Sequence, residues 1–157
     1  MTIERSGTWQ WKPFNREQAL AARDFSRAGE TFVDYKGQVN EILYSILTPL
    51  SYHVYVSTAA LRHIEKHPLA SKHKNNIAYI LNNPDLIAPN YEEPDTHIFY
   101  KSLSGRLLLA VPVQRLNELK FLATMYEIPY IKGLEQGLIS ASEFLYVRGG
   151  FKWKKWK

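Results

Sequence analysis

The alternation of hydrophobic and polar residues divides the chain into segments with a helical period and segments with a strand period. The clearest helical pattern runs from Gln38 to Leu47, where apolar residues follow the i, i+3, i+4, i+7, i+8 spacing of one buried face. An earlier helix is predicted from Asn15, a good N-cap residue, to about Ala28, and Gly29 ends it. These patterns predict two helices in the first third of the chain.

Later segments predict two more helices and several strands. Ser57 and Thr58 can cap a helix that Pro68 ends, and a further helix is predicted from about Ser71 to Asn82. The strand-like runs are Thr31–Tyr35, Tyr52–Val56, the short edge candidate Leu86–Pro89, His97–Lys101, Arg106–Gln114 and Leu119–Tyr126. Short turns between the last three runs predict an antiparallel meander.

Composition narrows the class of protein. The chain has 157 residues, a net charge of +5 and a pI of about 9.3, so an anionic partner such as RNA or DNA is favoured. It contains no cysteine, which excludes disulfides and thiolate chemistry. The sequence has no apolar signal-peptide core and no run long enough to span a membrane. We therefore expect a soluble, cytoplasmic protein without a membrane partner.

The segments group into three parts. Residues 1–50 are predicted to form an N-terminal arm and helices that pack on the core, and residues 51–148 an α+β domain. Residues 149–157 form a basic, aromatic tail.

The candidate chemistry is concentrated between Leu61 and Pro68, in the run Leu-Arg-His-Ile-Glu-Lys-His-Pro. His63 and His67 are four residues apart and share a helix face, as zinc ligands on a helix do. The zincin pattern requires Glu directly after the first histidine, and Ile64 stands there instead. Nucleotide-binding glycine loops are absent as well. We therefore expect neither a metal nor a cofactor.

RNA cleavage needs no metal, because the ribose 2′-OH is an internal nucleophile and the protein supplies a base, an acid and a cation. Histidine suits the first two roles and lysine the third. Thr124 and Tyr126 are two residues apart, so on one continuous strand both side chains would leave the same sheet face. The candidate catalytic residues are His63, His67, Lys101, Thr124 and Tyr126.

The order of these pieces is familiar. A strand is followed by His-Ile-x-x-His-Pro, by a helix ending Leu-Asn-Asn-Pro-Asp, by a strand ending Tyr-Lys and by a strand ending Ala-Thr-Met-Tyr. Over residues 52–126 this resembles the phage- and toxin-associated nuclease domains of the barnase, EndoU, colicin and RelE-like superfamily. The resemblance implies N-terminal helices packed on a single antiparallel sheet of about four strands, and metal-independent ribonuclease activity. It implies active residues at the five positions named above, with His97 as a further candidate.

Two interpretations of function remain open. The favoured one is a toxin-like or phage-derived ribonuclease, for which the resemblance also allows a cognate inhibitor protein. The alternative is a catalytically inactive nucleic-acid-binding or protein-interaction module on the same fold. In either case we predict RNA contacts from the basic side chains of Arg62, Lys66, Lys120, Lys152, Lys154 and Lys155.

Overall fold

A single mixed β-sheet dominates the molecule. The computed structural model describes residues 23–34, 36–90, 93, 95–102, 107–116, 118–129 and 144–149. Within these ranges the strands are β1 Arg23–Asp24, β2 Thr31–Val33, β3 Val39–Leu47, β4 His53–Ser57, β5 Leu86–Pro89, β6 Thr96–Ser102, β7 Leu107–Leu116, β8 Leu119–Leu122, β9 Tyr126–Pro129 and β10 Tyr146–Val147. The helices are α1 Thr58–Ile64, α2 Pro68–Ser71, a 3₁₀ turn Lys74–Asn76 and α3 Ile77–Asn82.

The strands follow the order β1-β3-β4-β8-β7-β6-β5-β10, with β2 also paired to β3 and β9 to β7. All pairs are antiparallel except β4 with β8, which run parallel. The predicted meander of β6, β7 and β8 is confirmed. The predicted edge strand β5 lies between β6 and β10 instead.

The predicted fold class is wrong. The molecule is mostly β, rather than N-terminal helices packed on a four-stranded antiparallel sheet. The segment predicted as the second helix is β3, which pairs with β4 on one side and with β1 and β2 on the other. Because β3 buries residues on both faces and its register shifts between Ile42 and Tyr44, its apolar residues lose the two-residue period and imitate helical spacing.

The first predicted helix does not run to Ala28. Residues 15–22 lie outside the described ranges, but Arg23 and Asp24 pair with β3 and a turn follows them. The domain division predicted at residue 50 falls between β3 and β4, which are neighbours in one sheet.

The helices after β4 follow the capping signals more closely. Ser57 is the N-cap of α1, and its hydroxyl accepts a hydrogen bond from the Ala60 amide at 3.4 Å. α1 ends at Ile64, four residues before the predicted stop at Pro68, and Pro68 opens α2 because proline is well accommodated in a first helical turn. The helix predicted from Ser71 to Asn82 is interrupted, since a 3₁₀ turn precedes α3.

These helices cover one face of the sheet. Ile64 of α1 and Ile80 of α3 pack with Phe99 and Val111 in the main core, and all four are almost fully buried. A smaller core on the opposite face contains Tyr100 and its neighbours on β5, β7 and β9. The part of the sheet around β6 and β7 is therefore buried on both faces.

Pro112 interrupts the ladder between β7 and the strand predicted from Leu119 to Tyr126. Proline has no amide hydrogen to donate, and the Pro112 carbonyl accepts from the Ala123 amide at 2.9 Å. The predicted strand is divided into β8 and β9, with residues 123–125 between them opposite only two residues of β7. Leu122 and Met125 both enter the main core although they are three apart. This is the geometry of a bulge.

A buried ionic network joins three neighbouring strands, β5, β6 and β10. Asp85 accepts from the Ser102 amide at 2.8 Å, from the Ser102 hydroxyl at 3.0 Å and from Arg148 Nε at 2.7 Å. Lys101 Nζ lies 3.4 Å from the same carboxylate. Because Asp85 opens β5, Lys101 and Ser102 end β6, and Arg148 follows β10, one carboxylate holds three strands.

Candidate functional site

Two of the predicted catalytic side chains meet where the helices reach β9. The ring of His67 lies 6.0 Å from the ring of Tyr126, centroid to centroid. The prediction that His63 and His67 share one helix face is wrong, because α1 ends at Ile64 and His67, which precedes α2, has the extended backbone expected before proline. We call His63, His67 and Tyr126 the helix-end cluster; Thr124 lies two residues before Tyr126 in the chain, and in the described residues no contact joins it to the histidines.

His63 is exposed at the end of α1. Partial burial lowers its pKa, and the nearby charges of Lys66, His67 and Lys36 lower it further. The neutral imidazole is therefore favoured near neutral pH, which is the form that accepts a proton.

Tyr126 is half-buried at the start of β9. Burial raises the pKa of its phenol, so the hydroxyl keeps its proton at neutral pH. A protonated phenol beside an imidazole can donate a hydrogen bond to a phosphate oxygen.

Two polar atoms close to Tyr126 in the chain, Thr124 Oγ1 and Glu127 Oε2, are buried without a hydrogen-bond partner among the residues that the structure describes. Thr124 lies in the bulge, and Glu127 pairs with Leu109, whose side chain enters the main core. Buried polar atoms are usually satisfied, so these two atoms retain hydrogen-bonding capacity that the described residues do not use. Sequence reasoning did not select Glu127, and because neighbouring strand residues point to opposite faces, Glu127 is directed to the main-core face while Tyr126 packs against the smaller core.

Lys101 is not part of the helix-end cluster. Its ammonium donates to the Asn83 carbonyl at 2.9 Å and lies 4.8 Å from the Tyr79 ring centroid, on the β5 side of β6. Burial lowers the pKa of Lys101, and the Asp85 carboxylate opposes that shift. Only 5% of the residue is exposed, so its contacts are those of the buried network.

The predicted RNA-binding residues are spread over the molecule. Arg62 and Lys66 are exposed beside the helix-end cluster, and Arg62 Nη2 donates to Asn40 Oδ1 at 2.8 Å. Lys120 lies on β8, close to Tyr52 and His97. Lys152, Lys154 and Lys155 lie outside the described ranges.

Tyr52, His97 and Lys120 form a second group, which we call the sheet-end cluster. The Tyr52 hydroxyl is 2.7 Å from His97 Nδ1, and Lys120 Nζ lies 4.9 Å from the Tyr52 ring centroid. Sequence reasoning named His97 and Lys120 separately and missed Tyr52. The signal was the alternation of Tyr52 with Val54 and Val56, which places all three on one face.

Among the residues that the structure describes, no group of three histidine or acidic side chains could hold a metal ion. No described helix is long and apolar enough to cross a membrane.

Comparison with known proteins identifies the family. The family model of the phage-Barnase-EndoU-ColicinE5/D-RelE like nucleases, group 3, matches residues 33–133. The chain belongs to this nuclease family. The match includes both clusters and confirms the resemblance seen in the sequence. No curated protein and no solved structure matches the chain.

Proposed function

We propose that this member of the family is a metal-independent ribonuclease and that the helix-end cluster cleaves the RNA. The observation that supports this is the contact between His67 and Tyr126, 6.0 Å between ring centroids. These residues are 59 positions apart and were selected from the sequence for their chemistry alone. The orphaned Thr124 Oγ1 adds a polar atom with free hydrogen-bonding capacity.

The proposed reaction is an internal transesterification. The ribose 2′-oxygen attacks the adjacent phosphorus, and the bond from phosphorus to the 5′-oxygen breaks. One histidine accepts the proton of the 2′-OH, and the other donates a proton to the leaving 5′-oxygen. The products are a 2′,3′-cyclic phosphate and a free 5′-hydroxyl, so no metal, oxidant or external nucleophile is required.

The side chains suit different parts of this reaction. His63 is suited to be the base because its lowered pKa favours the neutral imidazole. His67 is the proposed acid, and Tyr126 and Thr124 donate hydrogen bonds to the phosphate. Arg62 and Lys66 are proposed to hold the RNA backbone beside the site. Lys101 is left out because its ammonium is buried against Asn83 and Asp85.

The test is cleavage of a labelled single-stranded RNA in excess EDTA. We expect the wild type to cleave the RNA. His67→Ala should reduce the cleavage rate about 100-fold or more, and Tyr126→Phe should reduce it about 10-fold. His53→Gln and Tyr55→Phe make matched changes on β4 and should leave the rate within about twofold of wild type. Loss of wild-type cleavage on adding EDTA would overturn the metal-independent mechanism.

A catalytically inactive RNA-binding module is the competing function. It would show salt-sensitive RNA binding but no cyclic-phosphate product under any buffer condition. That result from a correctly folded wild-type protein would replace the ribonuclease proposal.

A further inference from the structure

The sheet-end cluster joins side chains from three separate elements. Tyr52 precedes β4, His97 lies on β6 and Lys120 on β8, and their alternation with core residues places them on the helix-covered face. The Tyr52 ring also packs edge-on against Phe99, 6.5 Å between centroids. The group is therefore fixed by the core beneath it and remains only half-buried above it.

Positive charge at this cluster is not neutralised by close ion pairing. In the described part of the chain no carboxylate forms a salt bridge with Lys120, whose ammonium lies over the Tyr52 ring. Arg115 is opposite Lys120 in the β7–β8 register. Its pair with Asp95 is long, at 3.5 Å, and the two side chains are 53% and 70% exposed. Such exposed pairs are weak, so an anion can compete for Arg115.

One ring nitrogen of His97 is hydrogen-bonded, and in the described part of the chain no hydrogen bond of the other is seen. Nδ1 is hydrogen-bonded to the Tyr52 hydroxyl, which leaves Nε2 outside that bond. Burial lowers the pKa of His97, and the charge of Lys120 lowers it further. A bound anion between Lys120 and His97 would offset both effects and favour the imidazolium, which donates a further hydrogen bond.

We propose that Tyr52, His97, Lys120 and Arg115 form a second site, which binds a phosphate of the RNA backbone away from the point of cleavage. The inference rests on the proposed ribonuclease function and names how its substrate is held. The cations and imidazole bind the phosphate, and Tyr52 is a positioning residue that fixes the His97 ring.

The spacing of the two clusters predicts the substrate. Lys120 pairs with Arg115 and Tyr126 with Ala110, five β7 residues or roughly 17 Å apart along the sheet, and this odd separation directs Lys120 to the main-core face and Tyr126 to the opposite face. At about 3.4 Å per stacked nucleotide, roughly 17 Å is about five nucleotides, and a strand that passes from one face to the other must be longer still. A substrate that contacts both clusters must therefore be a strand longer than a di- or trinucleotide.

The experiment measures binding without cleavage, using a single-stranded DNA ten-mer that lacks the 2′-OH nucleophile. Lys120→Gln should weaken binding about fivefold and reduce the slope of log affinity against log salt by about 0.7. Arg27→Gln removes the same charge from an exposed pair with Glu30 and should change the affinity less than twofold. Equal effects of the two substitutions would overturn the proposal.

Inorganic phosphate tests the site itself. We expect phosphate to shift the imidazole NMR signals of His97 and raise its pKa, and Tyr52→Phe to reduce both changes. Unchanged His97 signals at saturating ten-mer would contradict the second site.

The cleavage site and the second phosphate site can be tested independently of each other. Loss of cleavage in His67→Ala with unchanged ten-mer binding supports the cleavage site and leaves the effect of Lys120 intact. If His97→Gln abolishes cleavage while His67→Ala retains it, the sheet-end cluster performs the chemistry and both assignments are overturned.

Discussion

The helix-end and sheet-end clusters contain similar chemical groups, but the first was recognised from the sequence and the second from the structure. The two histidines of the helix-end cluster stand in a compact sequence motif, and in the structure the cluster has one ring contact, with the orphaned Thr124 Oγ1 two residues before Tyr126. The sheet-end cluster has no motif, yet its residues share a 2.7 Å hydrogen bond and a cation–π contact. A motif therefore indicates where chemistry is concentrated in sequence, while a sheet can assemble an equally plausible site from residues that show no local pattern.

The largest expected difference between the clusters is in cleavage rate. The double substitution His63→Ala/His67→Ala should reduce RNA cleavage by about 10³-fold or more, because the proposed base and acid are both lost. Tyr52→Phe/His97→Gln should reduce it by less than about tenfold at saturating RNA, since only binding is affected. Single-turnover cleavage measures both, and equal losses would erase the proposed division of roles.

The next largest expected effect is on stability and concerns the buried ionic network around Asp85. Asp85→Asn leaves Lys101 and Arg148 without their carboxylate and should cost about 3–5 kcal/mol of unfolding free energy in urea. Glu30→Gln, in an exposed pair, should cost less than about 1 kcal/mol.

Lys101→Met separates the structural role of this lysine from the catalytic role predicted for it. We expect lower stability but near wild-type cleavage per folded molecule, because the ammonium contacts Asn83 and Asp85. A folded Lys101→Met protein with cleavage reduced about 100-fold would return Lys101 to the catalytic site.

A pair of tyrosine substitutions compares the clusters through stability. Tyr52→Phe removes the hydrogen bond to His97 and should cost about 1 kcal/mol. Tyr126→Phe should change stability by less than about 0.5 kcal/mol, because in the described part of the chain no hydrogen bond of its hydroxyl is seen. The reverse order in urea titrations would indicate that Tyr126, rather than Tyr52, has the stronger hydroxyl contact.

The smallest effect is the pH dependence of stability. The pKa values of His63, His73 and His97 are all lowered from 6.5 on folding, so the unfolded chain binds more protons as the pH falls through that value. Stability should therefore be highest above pH 6.5 and decline below it. His97→Gln should flatten this decline slightly, as measured by urea midpoints from pH 7.5 to 5.5. A steeper decline in that variant would contradict the direction given for His97.

The sequence could predict the elements whose signals are local. Ser57 at the start of α1, the helix break before Pro68, and the short apolar runs of β6 and β7 all follow from neighbouring residues. β3 could not be recognised in this way, because a strand buried on both faces with a bulge has no two-residue period. The parallel pairing of β4 with β8 joins segments about 65 residues apart, and local patterns carry no information about it.

The candidate site residues differ in the same way: those that are close in the sequence could be predicted, and those that meet only in the folded chain could not. His63 and His67 could be selected because both lie in one short sequence motif, although α1 ends at Ile64 and His67 is not on it. Their proximity to Tyr126 depended on a helix and a strand meeting in space. Tyr52 was missed because its partners, His97 and Lys120, are 45 and 68 positions further along the chain.

The bulge opposite Pro112 limits which sequence changes this chain can accept during evolution. Three residues, 123–125, span the same distance as two residues of β7, so the number of residues there decides which way Tyr126 points. Deleting one of them would exchange the two faces of β9. The side chain of Tyr126 would then point to the face of the main core, and that of Glu127 to the opposite face. Substitutions in this segment should therefore be tolerated far better than changes in its length.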